Sequence, residues 1–373
     1  MRIGVPKEVK NHEYRVGLTT LSVKELISAG HEVVVETNAG VGIGLTDAHY
    51  KEVGAKILAT AKEVFDTADM IVKVKEPQPS EYSLLRENQI LFTYLHLAPD
   101  PDQAKGLIDS KCVAIAYETV TDERGGLPLL APMSEVAGRM SVQVGAWMLE
   151  KSQGGKGVLL GSVPGVEPAR VVVLGGGVVG ANAARMAAAL GADVTIVDRN
   201  LKRLNELDWM FMGRLKTAYS TQAMIEKLVS KADLVIGAVL VVGASAPRLV
   251  TKDMLKTMSP GSVLVDVAID QGGCFETSRP TTHADPYYEV DGVLHYCVTN
   301  MPGAVARTST FALNNATLPF TMALANKGYK RALMDDKHLL NGLNVCKGRI
   351  THEIVARDLN MEYVEPGVAI VEA

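Results

Sequence analysis

Three glycines, two cations, a histidine and two carboxylates in this 373-residue chain have types and spacings that suit chemistry. Gly175, Gly177 and Gly180 stand at G-x-G-x-x-G spacing, between a β-branched run and an alanine-rich helical stretch. Such glycines give a tight turn, bring backbone N–H groups close to a pyrophosphate, and pack helix tightly on strand. The helix N-terminus then turns its positive dipole end to the phosphates. Asp198 closes the following strand, DVTIVD, roughly 20 residues on, where a carboxylate accepts hydrogen bonds from ribose hydroxyls. That acid would repel a 2′-phosphate, so the pattern favours NAD over NADP. Arg199 and Arg203, just beyond it, soften the preference.

An enzyme using such a cofactor must also handle a proton beside the C–H bond it oxidises, and histidine titrates near neutrality. His96, at the end of the apolar run QILFTYLHL, is the best placed of the eight histidines. Spacing alone leaves it two roles, a proton carrier or a core histidine with both nitrogens satisfied. Arg15 follows the first strand and Lys75 ends DMIVKVK. Arginine grips a carboxylate with two parallel bonds and lysine acts as a point charge, although solvation at the surface is the ordinary state of either. Asp270 ends GSVLVDVAID, where it can polarise a water or cap the next turn. Asp266, in mid-strand, reads as a structural acceptor. Glu118 nearly ends CVAIAYETV, and period-2 alternation puts Tyr94 and His96 on one face.

These residues need a scaffold, and the chain alternates strand with helix to supply one. RIGVPKE, HEVVVET, DMIVKVK, QILFTYLHL and CVAIAYETV read as strands, with helices over residues 18–29, 46–53 and 61–67. Alternation of this sort predicts a parallel sheet with right-handed crossovers, and ligands beyond the carboxyl ends of its strands. A long helix is expected over residues 133–151. A second set of strands then runs from residue 170 through ADLVIGAVL and GSVLVDVAID to LHYCVTNMPG, which ends at Asn300. Residues 305–324 read as a helix that Pro319 should kink or end early, and residues 330–373 as a helical tail.

Length allows two domains of ordinary size. The net charge of −4 gives no broad attraction to nucleic acid or anionic lipid. Cys112, Cys274, Cys297 and Cys346 are scattered, without zinc spacing, as in a protein of a reducing compartment. The opening residues run straight into a strand, so neither a signal peptide nor a membrane span is expected, and the cytoplasm is the expected location.

Taken together, MRIGVPKE…N-x-E-x-R-V, KVKEP, LFTYLHLA, LLAPMSEVAGRM, LGGGVVG…VDR, VDVAIDQGG and TNMPGAVART resemble the alanine dehydrogenase family, from the first residue to near the last. The resemblance implies reversible oxidative deamination of L-alanine to pyruvate and ammonium, with NADH formed from NAD. It implies His96 as acid/base, Lys75 polarising the developing carbonyl and Asp270 assisting the water step. Arg15, Lys75, Tyr94, Met133 and Asn300 would hold the substrate. Besides the three glycines and Asp198, the cofactor would meet Ser134, Val178, Val179, Arg203, Ser220, Val239, Leu240, Val267, Ala268, Ile269, Asp270, Arg279, Val298, Thr299, Asn300 and Met301.

The fold the resemblance implies is α/β, with two Rossmann-like doubly wound parallel-sheet domains separated by a cleft and joined by two long helices. Residues 1–132 and 306–373 would form the substrate domain and residues 133–305 the NAD-binding domain. A homohexamer is implied, and no metal site is expected, because Ala323 and Lys327 offer no ligand pair where some relatives bind one. The rival reading is the soluble NAD(H)-binding subunit of a proton-translocating transhydrogenase, with the same fold and glycine motif. Arg15, Lys75, His96 and Asp270 together argue against it.

Overall fold

Runs of β-branched residues bounded by glycine, proline and asparagine become short strands, and the central ones are buried on both faces as helix-covered parallel sheets require. The computed structural model describes residues 1–239 and 246–371. The first six strands are β1 (Arg2–Val5), β2 (Glu32–Glu36), β3 (Lys56–Leu58), β4 (Met70–Val72), β5 (Ile90–Thr93) and β6 (Val113–Ala116). Seven follow: β7 (Arg170–Leu174), β8 (Asp193–Asp198), β9 (Lys216–Tyr219), β10 (Leu234–Gly237), β11 (Val263–Asp266), β12 (Tyr287–Val290) and β13 (Val293–Tyr296). The last two are β14 (Leu343–Cys346) and β15 (Arg349–Ile350). Two compact units divide them, Met1–Met133 with Val305–Ala373, and Ser134–Ala304.

The sheet of the first unit runs β15-β14-β6-β5-β4-β1-β2-β3, with β1 to β6 parallel. The second unit's sheet runs β12-β13-β11-β10-β7-β8-β9, parallel throughout except at the β12 edge. Both follow the doubly wound order, reversing between β1 and β4 in one unit and between β7 and β10 in the other. Such a reversal opens a crevice at the carboxyl ends of the two central strands. The alternation of strands and helices therefore led to the right fold class.

Several local expectations need correcting. The paired strands are shorter than the apolar runs, so Lys75, His96, Asp270 and Asn300 end no strand and occupy the loops beyond β4, β5, β11 and β13. Asp266 is the last residue of β11 and not a mid-strand residue. The long helices span Ala131–Met148 and Ala306–Asp335. Pro319 ends neither of them: it withholds one N–H, yet the residue with non-helical dihedrals is Gly328, at φ 72° and ψ 159°. The tail is not wholly helical, since β14 adds to β6 antiparallel and β15 turns back on β14. Lys347 and Gly348, at φ 49° and 84°, make that two-residue hairpin turn, a primed geometry that Asn-Gly would have announced more plainly. Among the described residues no helix is long and apolar enough to cross a membrane.

Candidate active site

In the first unit four neighbouring parallel strands, β1, β4, β5 and β6, send out the loops that carry the polar residues. Arg15 lies in the loop after β1 and is only 2% exposed. Its Nε donates to Glu13 Oε1 at 2.7 Å and its Nη2 to Glu13 Oε2 at 2.6 Å, while Nη1 donates to Met133 Sδ at 3.0 Å. Burial alone would raise the Glu13 carboxyl, but the Arg15 guanidinium outweighs it and holds it down at about 2. Burial likewise works against the Arg15 charge, and Glu13 more than restores it. The result is an ionised pair in a dry setting, fixed by geometry on both sides.

Lys75 follows β4 and is partly buried. Thr93 Oγ1 donates to its carbonyl at 2.8 Å, and Glu8 Oε1 accepts the Val74 N–H at 2.7 Å. Burial, and then the Arg15 charge, push the Lys75 ammonium below its ordinary pKa. Beneath it lies a buried Lys73, whose Nζ stands 3.3 Å from Glu8 and 2.8 Å from Glu81. Burial raises the Glu8 carboxyl, with Lys73 opposing.

His96 is exposed and takes the left-handed conformation, φ 46°, which costs a residue with a Cβ free energy unless its surroundings impose it. Glu118, in the turn after β6, imposes it by accepting the His96 N–H at 2.6 Å and the Leu95 N–H at 3.1 Å. Tyr94 is buried, donates to the Leu129 carbonyl at 2.5 Å, and lies 5.9 Å from the His96 ring at an angle of 10°. The two rings do face the same way, through a loop and not through strand alternation. The first unit thus sets Arg15, Lys75, Tyr94, His96 and Glu118 in the loops beyond the carboxyl ends of adjacent strands, and Met133, in the helix Ala131–Met148, meets them through Arg15.

In the second unit the glycines behave as the motif requires. Gly175 has φ 101°, and a Cβ there would lie 2.6 Å from the Ala238 carbonyl. At Gly180 a Cβ would lie 1.8 Å from the Gly175 carbonyl, so the helix can pack this closely only with glycine. A Cβ at Gly177 would meet nothing within 4 Å. That space adjoins the start of the helix Val178–Ala189, whose first N–H groups have no side-chain cap. Open space beside uncapped donors is a fitting cradle for a pyrophosphate.

The other expected cofactor residues follow strand ends. Asp198 closes β8 and accepts the Gly176 N–H at 2.7 Å, and Arg203 Nε donates to the Gly176 carbonyl at 2.6 Å. Ser220 follows β9 and donates its N–H to the Asp198 carbonyl at 3.0 Å. Val239 follows β10 beside Gly175, whereas Leu240 lies outside the described residues. Val267, Ala268, Ile269 and an exposed Asp270 form the turn after β11. Buried Asp266 holds that turn by accepting the Ala268 N–H at 3.1 Å and the Cys274 N–H at 2.9 Å. Val298, Thr299, Asn300 and Met301 follow β13, and Asn300 is left-handed at φ 56°. Thr299 donates to Thr281 at 3.2 Å, which ties this turn to the segment bearing Arg279. Ser134 stands not after a strand but in the first turn of the helix Ala131–Met148.

Glu8, Glu13 and the Lys73–Glu81 pair escaped the sequence reading. The signals were present: an acid two residues before Arg15, and a lysine inside the apolar run DMIVKVK. A charged residue within a buried run must find a counter-charge, here Glu8 and Glu81.

A family model described as alanine dehydrogenase/PNT, N-terminal domain, matches residues 4–137, and its C-terminal counterpart matches residues 141–353. An alanine dehydrogenase of Halomonas elongata is 60% identical over 365 residues, 98% of either chain. A solved L-alanine dehydrogenase superposes with a TM-score of 0.94 at 54% identity, covering 96% of this chain and 99% of that one. A transhydrogenase from Sinorhizobium meliloti gives a TM-score of 0.83 at 25% identity, over 94% of this chain and 100% of that one.

Proposed function

Because the chain belongs to the alanine dehydrogenase/PNT family, we propose that its loops carry out the NAD-dependent oxidative deamination of L-alanine to pyruvate and ammonium. The observation that carries the reading is the grouping of Arg15, Lys75 and His96 on adjacent strand ends, with Arg15 locked by Glu13. Bound NAD supplies the hydride acceptor. Gly175, Gly177 and Gly180 would hold its pyrophosphate, Asp198 its adenosine ribose, and the turns after β10, β11 and β13 its nicotinamide half.

In the first unit Arg15 offers the substrate carboxylate a cation already oriented, so little reorganisation is left to binding. Lys75 stands by the carbon whose amine becomes a carbonyl, and its depressed pKa eases proton exchange there. Loss of hydride from Cα leaves an iminium, to which water adds. His96 would accept the proton from that water, return it to the carbinolamine nitrogen, and take the hydroxyl proton as ammonia leaves to become ammonium, with Asp270 assisting the water step. Tyr94 and Met133 crowd the side-chain position, which suits a methyl group. The discrimination against one further methylene is then of the order of 10–200-fold, so 2-aminobutyrate is a slow substrate. Assembly as a homohexamer in the cytoplasm belongs to the same proposal.

Incubation with NAD and L-alanine tests it, with pyruvate, ammonium and NADH expected in equal amounts. NADH binding without turnover of any small amino acid would favour the transhydrogenase-subunit reading instead.

A further inference from the structure

Arg279 is exposed, and among the described residues no carboxylate pairs with it. Its guanidinium carbon nevertheless has a fixed seat, 4.0 Å from the centroid of the Tyr288 ring. The Tyr288 hydroxyl accepts the Arg279 N–H at 2.8 Å and donates to the Thr277 carbonyl at 2.8 Å, bonding the phenol to the backbone on both sides of Ser278. Behind Tyr288 lies His295, fully buried, with ring centroids 5.0 Å apart and planes 18° from parallel. Thr277 Oγ1 and the Val293 carbonyl bond its two nitrogens at 2.7 and 2.9 Å. Burial, helped by the Arg279 charge, pushes the imidazole down to about 4, so Arg279 is the one cation of this three-part stack near neutral pH.

A side chain held this firmly at an exposed place has lost its rotamer freedom before any ligand arrives. A guanidinium on a ring face keeps its N–H edge for an oxyanion, where a lysine ammonium would gain less from the ring. Two residues on, Thr281 bridges to Val298 and donates to the Cys297 carbonyl at 2.9 Å. The stack is thereby fastened to the turn that the functional reading assigns to the nucleotide. We propose that Tyr288 is a positioning residue for nucleotide binding, seating Arg279 so that its guanidinium meets an anionic oxygen of the bound dinucleotide already oriented. The proposal rests on the nucleotide assignment made above and adds to it the pair Tyr288–His295.

Titrating the full-length protein with NADH, followed by fluorescence, tests the proposal. Tyr288→Leu should weaken binding by about three- to tenfold, the size of one pre-organised cation–π and phosphate contact. The KM for NAD should rise in step, and the KM for L-alanine should stay within about twofold, below the size of such a contact. Tyr288→Phe, which keeps the ring face, should restore most of the affinity. Arg279→Lys, at an exposed position that leaves folding alone, should bind as weakly as Tyr288→Leu. In an Arg279→Ala background, Tyr288→Leu should cost nothing more. Wild-type affinity in Tyr288→Leu or Arg279→Lys, or additive losses in the double variant, would overturn the proposal. Wild-type affinity in Arg279→Ala would show that Arg279 does not meet the nucleotide, and the proposal would fall with that contact. A wild-type protein that bound no NADH would instead sink the functional reading itself.

Discussion

Glu13 and Arg15 form a buried two-bond pair, Nε to Oε1 at 2.7 Å and Nη2 to Oε2 at 2.6 Å, two residues apart on one loop. The cation proposed to hold the substrate carboxylate is therefore built with its own counter-ion. Removing that counter-ion by Glu13→Gln takes the two-bond carboxylate partner from a guanidinium in a dry site. Such a change costs about 3 kcal/mol and should raise the KM for L-alanine while leaving NADH binding alone. Urea unfolding and fluorescence titration of the variant check the two halves separately.

The same pair predicts a pH dependence. Glu13 falls from an unfolded value of about 4.3 to about 2 in the folded protein, so its contribution is complete above the unfolded value and lost as pH drops toward the folded one. The full contribution is on the order of 3 kcal/mol, and about 1 kcal/mol of it is gone near pH 3.5. The stability gap between wild type and Glu13→Gln should accordingly narrow on acidification from pH 6 to pH 3.5. A gap that held constant would mean that folding leaves the Glu13 carboxyl unshifted, and that its pairing with Arg15 contributes no stability.

Gly177 and Gly180 should respond oppositely to alanine. A methyl at Gly177 meets nothing in the protein, so Gly177→Ala should fold normally and lose NADH affinity. A methyl at Gly180 collides with the Gly175 carbonyl, and Gly180→Ala should destabilise the fold by about 1–3 kcal/mol or more. Thermal melts with and without NADH separate the outcomes. Normal affinity in Gly177→Ala would remove the pyrophosphate from this cradle.

The glycine loop was legible in the sequence because Gly175 and Gly180 stand where a Cβ would collide with backbone, while Gly177 leaves open space beside the helix start. The loops carrying Lys75 and His96 were located but misread as strands, for a physical reason. Periodicity reports burial and not ladder pairing, and Val74, Tyr94, Leu95 and Leu97 stay buried beyond the last paired residues. The Glu13–Arg15 pair and the seat of Arg279 on Tyr288 depend on side-chain directions that no spacing rule supplies. The strands of the tail were hidden because Lys347-Gly348 is a weak hairpin signal beside Asn-Gly.

Asp198→Ala should raise the KM for NAD by about tenfold, the value of a lost charge-assisted ribose contact, and should admit NADP. Steady-state kinetics with each nucleotide decide it, and unchanged NAD kinetics would take Asp198 out of the ribose site.

His96→Ala should lower kcat by about two to four orders of magnitude, the range of general acid–base catalysis, with NADH binding intact. Loss of turnover and binding together would make His96 a packing residue.

Hydride transfer from L-alanine is followed most directly with a deuterium label. With L-alanine deuterated at Cα and NAD, the account predicts NADH carrying deuterium at nicotinamide C4, formed together with pyruvate, and no reaction with the D-enantiomer. NADH without the label, or none at all from a protein that binds NADH, would contradict it.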